Sequence, residues 1–586
     1  MMKLTRQQIE AVRIPDSAFV EACPGSGKTR TITAKLMHLV DVIGHTPRKI
    51  ACITYTNAAV HEIERRIRRY GLSTDESICQ IATIHSFCLR NIFGPYCWKL
   101  PAFQDGFELL PPDADEYLEI AESVYSEYDS DFAWAVQNAF KGVRHEHTGS
   151  ILVESPLDEE IASKFLQKLE SKRIITFNTL LYYSYRLLAD HSEISKGVAS
   201  KFNWILMDEF QDTTALQCEL LNQVTRFGST KFFLVGDPNQ SIYAFTGANP
   251  DLMYDFSVGI RAKSDLILDR NWRSSKKIVN DAEKIFRRQD PMVAVGPHRD
   301  SGFTPKVVHA RDPFDGISRH FLPQLHESDI PYGDAAILAP QRWVLHKIAK
   351  QLITREVPIV GVGTRPYNSN KYTFARLLET LCAAASSAQP ISMNPVHREL
   401  IAFLTDFTGH SYSELHSFAG RKLVVRLVNS LSRTIVLDAP AVTWISTAID
   451  EMVSAFRSEE LISSIDAERL VKSVSALICD ISSNNDIHLT VRGLSSYANF
   501  SDSLKLLTIH GAKGLEFDAV ALIDLHERRI PHNSINTTTN CIERQRILEE
   551  SKRLFYVGIT RAKQILMYFT DSSDSRNQPS RLLNLL

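Results

Sequence analysis

The stretch Glu21 to Arg30, E-A-C-P-G-S-G-K-T-R, constrains this chain more than any other. The apolar run Ala18 to Val20 before it reads as a strand, and Thr31 to Val42 after it carries apolar residues at helical spacing. Between them, Ala22-Cys23-Pro24-Gly25-Ser26-Gly27-Lys28-Thr29 fits a Walker A loop, with Ala22 at the usual first-glycine position. Gly25 and Gly27 take conformations closed to other residues, so consecutive N–H groups turn onto a phosphate at the positive end of the next helix. The cradle then comprises Gly25, Ser26, Gly27, Lys28, Thr29 and Arg30. Lys28 reaches the β and γ phosphates, and Thr29 offers its hydroxyl to a magnesium ion. A Gly-Ser-Gly turn also occurs without a ligand; the Lys-Thr that follows selects the nucleotide reading.

At 586 residues the chain should hold three or four domains of ~150 residues. A hydrophobic content of 44% fills ordinary cores, and a net charge of -2 is neutral on partners, because a nucleic-acid motor needs a local basic groove, not a basic whole. Nine cysteines without a C-x-x-C pair argue for free thiols in a reducing compartment and against a zinc ribbon or iron–sulfur cluster. The amino terminus has no apolar core like that of a signal peptide, and no apolar run approaches ~18 residues. A soluble, cytoplasmic protein is expected.

Leu4-Thr5-Arg6-Gln7-Gln8 precedes the P-loop strand, and the amide of Gln8 can donate and accept at once, which suits an adenine edge. Lys49 to Thr54 reads as a strand leading through Tyr55-Thr56-Asn57-Ala58-Ala59 into a helix from about Val60 to Tyr70. Arg65, Arg66, Arg68 and Arg69 on that helix are either a solvated face or phosphate contacts. Thr83-Ile84-His85-Ser86-Phe87 ends another strand. From about Tyr96 to Arg173 the sequence turns acidic, aromatic and helix-like, with Asp113, Asp115, Glu116, Glu119 and Glu122 early and no catalytic spacing.

The α/β rhythm resumes at Asn203 to Glu209, an apolar run ending in two carboxylates, as expected of a buried parallel strand delivering them to the ligand-binding edge of a sheet. Asp208 is then placed to hold magnesium through water, and Glu209 to orient and deprotonate the attacking water. A second such strand, Lys231 to Gly236, runs into Asp237 to Ala248, where Gln240 is a candidate γ-phosphate sensor. If that stretch is extended, Tyr243 and Phe245 both face outward, as base stacking requires; buried, they are core.

Together these stretches resemble the UvrD/Rep/PcrA group of superfamily 1 helicases. Leu4 to Gln8 is similar to the Q motif, Ala22 to Thr29 to motif I, Tyr55 to Ala59 to motif Ia, Thr83 to Phe87 to motif Ib, Asp208 to Thr213 to motif II and Gly236 to Ala248 to motif III. Leu268 to Ser274 resembles motif IV, which implies Trp272 on adenine and Arg273 at the γ phosphate. Leu507 to Asp518 resembles motif V, which implies Glu516 at the nucleotide sugar and Thr508 and His510 near DNA. Tyr556 to Lys563 resembles motif VI, making Arg561 a second arginine finger. The family further implies DNA contacts by Tyr55, Thr56, Asn57, Thr83, His85, Tyr243 and Phe245.

The resemblance implies an α/β fold of two RecA-like motor domains, each with a mostly helical insertion. The expected boundaries are 1–95 and 174–258 for domain 1A, 96–173 for insertion 1B, 259–387 and 501–586 for domain 2A, and 388–500 for a reduced insertion 2B. ATP and Mg2+ are the implied cofactors, and translocation 3′ to 5′ on single-stranded or partly duplex DNA the implied activity. Ala58 and Thr246 stand where the family usually has lysine and arginine, which should weaken the grip on a strand. Three settings fit: the helicase subunit of a Gabija-type antiphage system working with an OLD-family nuclease in a hetero-oligomer, a stand-alone repair or recombination helicase, or a DNA-end and nucleotide sensor with little unwinding.

Overall fold

The computed structural model describes residues 3–43, 46–70, 78–112, 114–128, 134–153, 155–227, 230–367, 371–372, 374–387, 392–408, 412, 415, 418–483, 489–498 and 502–586. The chain divides into two compact units, Met1–Val279 with Phe286–Asp300, and Asn280–Ile285 with Ser301–Leu586.

The first unit is built on six parallel strands: β1 (Ala18–Ala22), β2 (Lys49–Thr54), β3 (Cys79–Thr83), β4 (Phe202–Met207), β5 (Lys231–Gly236) and β6 (Lys263–Leu268). Their order across the sheet is β6-β1-β5-β4-β2-β3. The central strands read as unbroken apolar runs because helices cover both faces, as in any parallel sheet built from crossover connections. With β5 beside β1 and β4 beside β5, three loops share one carboxyl edge: the P-loop after β1, Asp208 and Glu209 after β4, and Asp237 to Gln240 after β5.

Strand β6 corrects one expected boundary. Lys263–Leu268 was placed in the second motor domain but pairs with β1 at the edge of the first sheet. As an edge strand it exposes Lys263, Ser264 and Asp265, and that polar start reads as linker. Residues 96–173 hold three longer helices, Asp115–Tyr125, Trp134–Gly142 and Glu159–Ser171, around a core of their own that includes Tyr117, Phe140 and Phe165. Asp113 lies outside the described residues.

The second unit holds a second all-parallel sheet: β7 (Lys306–Ala310), β8 (Ala335–Ala339), β9 (Ile359–Gly361), β10 (Leu504–Thr508), β11 (Phe517–Leu522) and β12 (Ala562–Asp571), in the order β7-β12-β11-β8-β10-β9. Among the described residues, six α-helices from Ala375–Ser386 to Val491–Ser496 intervene between β9 and β10 around one apolar core running from Tyr367 to Tyr497. That core takes in the helix Ala375–Ser386, which the expected limits left in the motor domain. Ala388-Gln389-Pro390, expected to open the insertion, and Asn484-Asn485-Asp486, near its expected close, lie outside the described residues. No described helix is long and apolar enough to cross a membrane.

Candidate nucleotide and DNA site

The loop after β1 has the backbone its glycines predict, with Gly25 at φ 68° and Gly27 at φ 85°. Lys28 begins helix α2 (Lys28–Ile43), directing the first free N–H groups of that helix toward the loop. Helix α1 (Arg6–Arg13) starts with a capping box: Thr5 Oγ1 accepts from Gln8 N at 3.2 Å, and Gln8 Oε1 accepts from Thr5 N at 3.0 Å. The same Gln8 donates Nε2–H to Ser26 O at 2.9 Å, so its amide braces the P-loop and retains one hydrogen and one lone pair for a base edge.

Residues 271–273 close over the loop. Trp272 N–H donates to Gly25 O at 2.9 Å, and Asn271 Oδ1 accepts from the N–H groups of Arg273 and Ser274, both at 2.8 Å. A Cβ on Gly25 would meet Arg273 Cβ at 2.7 Å and Asn271 Oδ1 at 2.9 Å. Trp272 keeps an exposed ring, as a nucleobase platform needs. Arg30 lies half-buried in the first turn of α2.

Across the sheet edge, Thr29 Oγ1 donates to Asp208 Oδ2 at 3.3 Å. Burial, and then the adjacent Glu209 charge, push the Asp208 carboxyl up to about 7, a state that a neighbouring cation reverses. Glu209 is left-handed at φ 51°, which turns its side chain away from the line of β4. Its Oε2 accepts from Gln211 Nε2 at 2.5 Å, and Gln211 Oε1 accepts from Asp237 N at 3.0 Å. Asp237 Oδ2 in turn accepts from Gln240 Nε2 at 2.6 Å. One hydrogen-bonded line therefore joins the loops after β4 and β5 from Glu209 to Gln240, and Thr29 with Asp208 links the P-loop to the first of them.

Of the expected DNA contacts, Tyr55 and Tyr243 come together as stacked rings with centroids 5.2 Å apart, and Phe245 sits edge-on to Tyr243 at 5.9 Å. The extended conformation on which outward-facing rings at 243 and 245 were conditional is not what forms. Ala244–Thr246 is a 3-10 turn closed by Thr246 Oγ1 donating to Tyr243 O at 2.8 Å, which leaves Phe245 62% exposed and Tyr243 half-buried. Gly247 at φ 89° lets the chain leave that turn. Thr56 and Thr83 cap the helices that follow them, accepting from Ala59 N and Ser86 N, and Asn57 is exposed in the first turn of α3 (Asn57–Arg69). His85 packs edge-on to Phe177, and burial pushes its imidazole down to about 4. The arginine run on α3 is largely a self-paired face: Arg65 and Arg66 meet Glu62, and Arg68 meets Glu64 at 3.9 Å.

In the second unit, Thr508 ends β10 and accepts from Gly511 N at 3.0 Å, with half-buried His510 in the turn between. Exposed Glu516 lies 3.8 Å from Lys563. Arg561 is 2% exposed and donates to Val557 O at 3.0 Å, Leu515 O at 3.2 Å and Thr560 Oγ1 at 3.2 Å. Its guanidinium thus lies against the main chain of its own unit. Asp524, His526 and Asp571 form a buried cluster of metal-ligand types. Asp571 N–H donates to His526 Nε2 at 2.8 Å and Asp524 Oδ1 lies 3.1 Å from Nδ1, so both ring nitrogens are committed to tying the ends of β11 and β12 together.

Residues that the sequence did not single out complete the first unit's site. Gln211 and Asp237 carry the line between loops, Asn271 shapes the turn under Arg273, and Arg288 reaches Asp237 Oδ1 at 2.5 Å and Glu21 Oε1 at 3.5 Å. Asp237 was legible as a strand-end carboxylate. Arg288, 51 positions further on, had no local signal.

Two parallel-sheet units, one with a P-loop, paired acidic residues and a glutamine on a common edge beside exposed aromatics, define a nucleotide-driven DNA enzyme, an ATP-dependent DNA helicase. The UvrD/REP helicase N-terminal domain model matches residues 4–259, and the UvrD-like helicase C-terminal domain model matches residues 453–573. The chain belongs to the UvrD/Rep-like superfamily 1 helicases. It is 25% identical to the ATP-dependent DNA helicase Rep of Escherichia coli over 99% of this chain and 94% of that one. It is also 25% identical to the ATP-dependent DNA helicase PcrA of Bacillus subtilis (96% and 82%), and 23% identical to a probable DNA helicase II homolog of Mycoplasma capricolum (100% and 87%).

Proposed function

We propose that this helicase walks 3′ to 5′ along single-stranded DNA by coupling ATP hydrolysis on the first sheet edge to the aromatic cluster beside it. The observation that carries the reading is the line Glu209–Gln211–Asp237–Gln240. It ends three residues before Tyr243, so the group facing the γ phosphate and the ring that grips a base belong to one short segment. In this reading Lys28 holds the β and γ phosphates, Glu209 orients and deprotonates the attacking water, and Gln240 senses the γ phosphate. Gln8 and Trp272 take the adenine, Glu516 the sugar, and Arg273 the developing charge; the part given to Arg561 rests on its motif. Thr29 and Asp208 are hard oxygen donors at adjacent positions and fit Mg2+, which when bound would neutralise charge on the phosphates.

DNA would pass Tyr55, Tyr243 and Phe245, with Thr56, Asn57, Thr83, His85, Thr508 and His510 as polar contacts. The setting we favour is antiphage defence, as the helicase component of a Gabija-type complex with an OLD-family nuclease; the short helical insertions and the form Gly236-Asp237-Pro238-Asn239-Gln240 support it. Ala58 and Thr246 favour a second reading, a DNA-end and nucleotide sensor with ATPase but little unwinding. Neither alanine nor threonine carries a cation for a phosphate, and Thr246 donates its hydroxyl to the Tyr243 carbonyl.

The test is ATP hydrolysis with and without single strands, then triplex displacement. Lys28→Ala and Glu209→Gln should each lower kcat by ~10² or more; hydrolysis at the wild-type rate in either variant would refute the site. Displacement without a partner, with no nuclease co-purifying, would favour the stand-alone repair setting, and hydrolysis without displacement the sensor.

A further inference from the structure

We infer that Arg288 is the positioning residue for Gln240, acting through Asp237; this rests on the nucleotide-site reading above. Asp237 has no exposed surface, and both of its oxygens are in use. Oδ2 accepts from Gln240 Nε2 at 2.6 Å, while Oδ1 accepts from Asn239 N at 3.1 Å and from Arg288 Nη2 at 2.5 Å. The Arg288 side chain is itself only 6% exposed. A carboxylate so buried needs a partner of opposite charge, and Arg288 is ion-paired with it at 2.5 Å.

The consequence falls on the glutamine amide. A charged acceptor on Nε2 selects one of the two flip states of Gln240, so Oε1 and the second Nε2 hydrogen are presented in a single orientation. With Arg288 removed, Asp237 Oδ1 loses its ion-pair partner, the carboxylate is no longer held in place, and the amide loses the fixed acceptor that set it. The other end of the guanidinium lies 3.5 Å from Glu21 Oε1, and Tyr254 OH donates to Glu21 Oε2 at 3.1 Å. Glu21 is the penultimate residue of β1, just before the P-loop, so one arginine spans from the root of the phosphate cradle to the anchor of the sensor. Its segment, Phe286–Asp300, belongs to the first unit although residues 280–285 just before it belong to the second.

The experiment is a double-mutant cycle on the full chain, reading DNA-stimulated ATPase kinetics and fluorescent ADP binding. Arg288→Met should lower kcat ~10²-fold and leave ADP affinity within about twofold, because ADP lacks the phosphate that Gln240 faces. Added to Gln240→Ala, Arg288→Met should cost no more than about twofold further, since a residue acting through Gln240 has nothing left to position. Arg288→Lys, which keeps the cation, should recover at least about tenfold over Arg288→Met. A wild-type rate in Arg288→Met, or losses that multiply across the cycle, would overturn the inference. Should Arg288→Met fail to fold by circular dichroism, Arg288→Gln, which also removes the cation, goes through the same cycle, with a non-multiplying loss supporting the assignment and a wild-type rate or a multiplying loss overturning it. A wild-type chain without DNA-stimulated hydrolysis would sink the nucleotide-site reading itself, and this inference with it.

Discussion

Tyr55 and Tyr243 stack with their ring planes 18° from parallel, although one follows β2 and the other follows β5. The pair makes a flat apolar step at the sheet edge, and Tyr55 is 37% exposed. Base–aromatic stacking is worth ~1 to 3 kcal/mol per base, so Tyr243→Ala, which removes half the step and frees the other half, should weaken single-strand binding by about 5- to 140-fold. Fluorescence anisotropy with an oligonucleotide measures this, with ADP affinity as the control that should hold. Equal loss of both ligands would mean the ring is core packing.

The two P-loop glycines should not be equivalent. Both need a left-handed backbone, a strain of ~1 to 2 kcal/mol for alanine. A Cβ at Gly27 meets the movable end of Gln8 at 2.8 Å, whereas at Gly25 it meets Arg273 Cβ at 2.7 Å and Arg273 N at 3.2 Å. Gly25→Ala should therefore reduce ATP binding at least about tenfold more than Gly27→Ala, by titration of a fluorescent nucleotide.

His85 makes an acid-sensitive point. Its folded pKa, pushed down to about 4 by burial, lies below the ~6.5 of a free imidazole. Between those values the unfolded chain binds a proton that the folded chain refuses, so the stability is complete above pH 6.5 and is lost as pH falls toward 4. At ~1.4 kcal/mol per unit, wild type should lose about 2 kcal/mol more than His85→Gln between pH 7 and 4.5, read from urea midpoints of the first unit. Because the ring is neutral at pH 7, the same variant should leave the salt dependence of DNA binding unchanged.

In the helical part of the second unit, Glu379 is buried and accepts Arg365 Nε at 2.7 Å, Arg365 Nη2 at 2.8 Å and Tyr367 OH at 2.8 Å. Glu379→Ala leaves the arginine beside an empty site and should destabilise this region by ~3 to 5 kcal/mol. Glu379→Gln, whose amide oxygen still accepts, should lose less. Denaturant unfolding of the two variants orders them, and equal midpoints would place the pair at the surface in energetic terms.

Much of the first sheet edge was legible from local signals. A glycine-rich turn ending in Lys28-Thr29 and apolar runs ending in Asp208 or Asp237 each announce themselves within ten residues, because backbone sterics and burial periodicity act at short range. Polar edge strand β6 carried no such signal, since its pairing with β1 depends on a neighbour some 240 positions away. The helix Ala375–Ser386 likewise belongs with the insertion only because its apolar face packs into that core, which is built from residues distant in the chain.

The sequence by itself determined which residues carry charge, hydroxyl and ring, and which turns needed glycine. Only the tertiary structure decided their partners. It set Tyr55 on Tyr243, turned Ala244–Thr246 into a turn that exposes Phe245, buried Arg561 against carbonyls of its own unit, and brought Arg288 to Asp237. The reason is physical: a side chain's type is local, but the low dielectric that makes an ion pair strong, and the surface that a ring can cover, exist only once distant strands have packed.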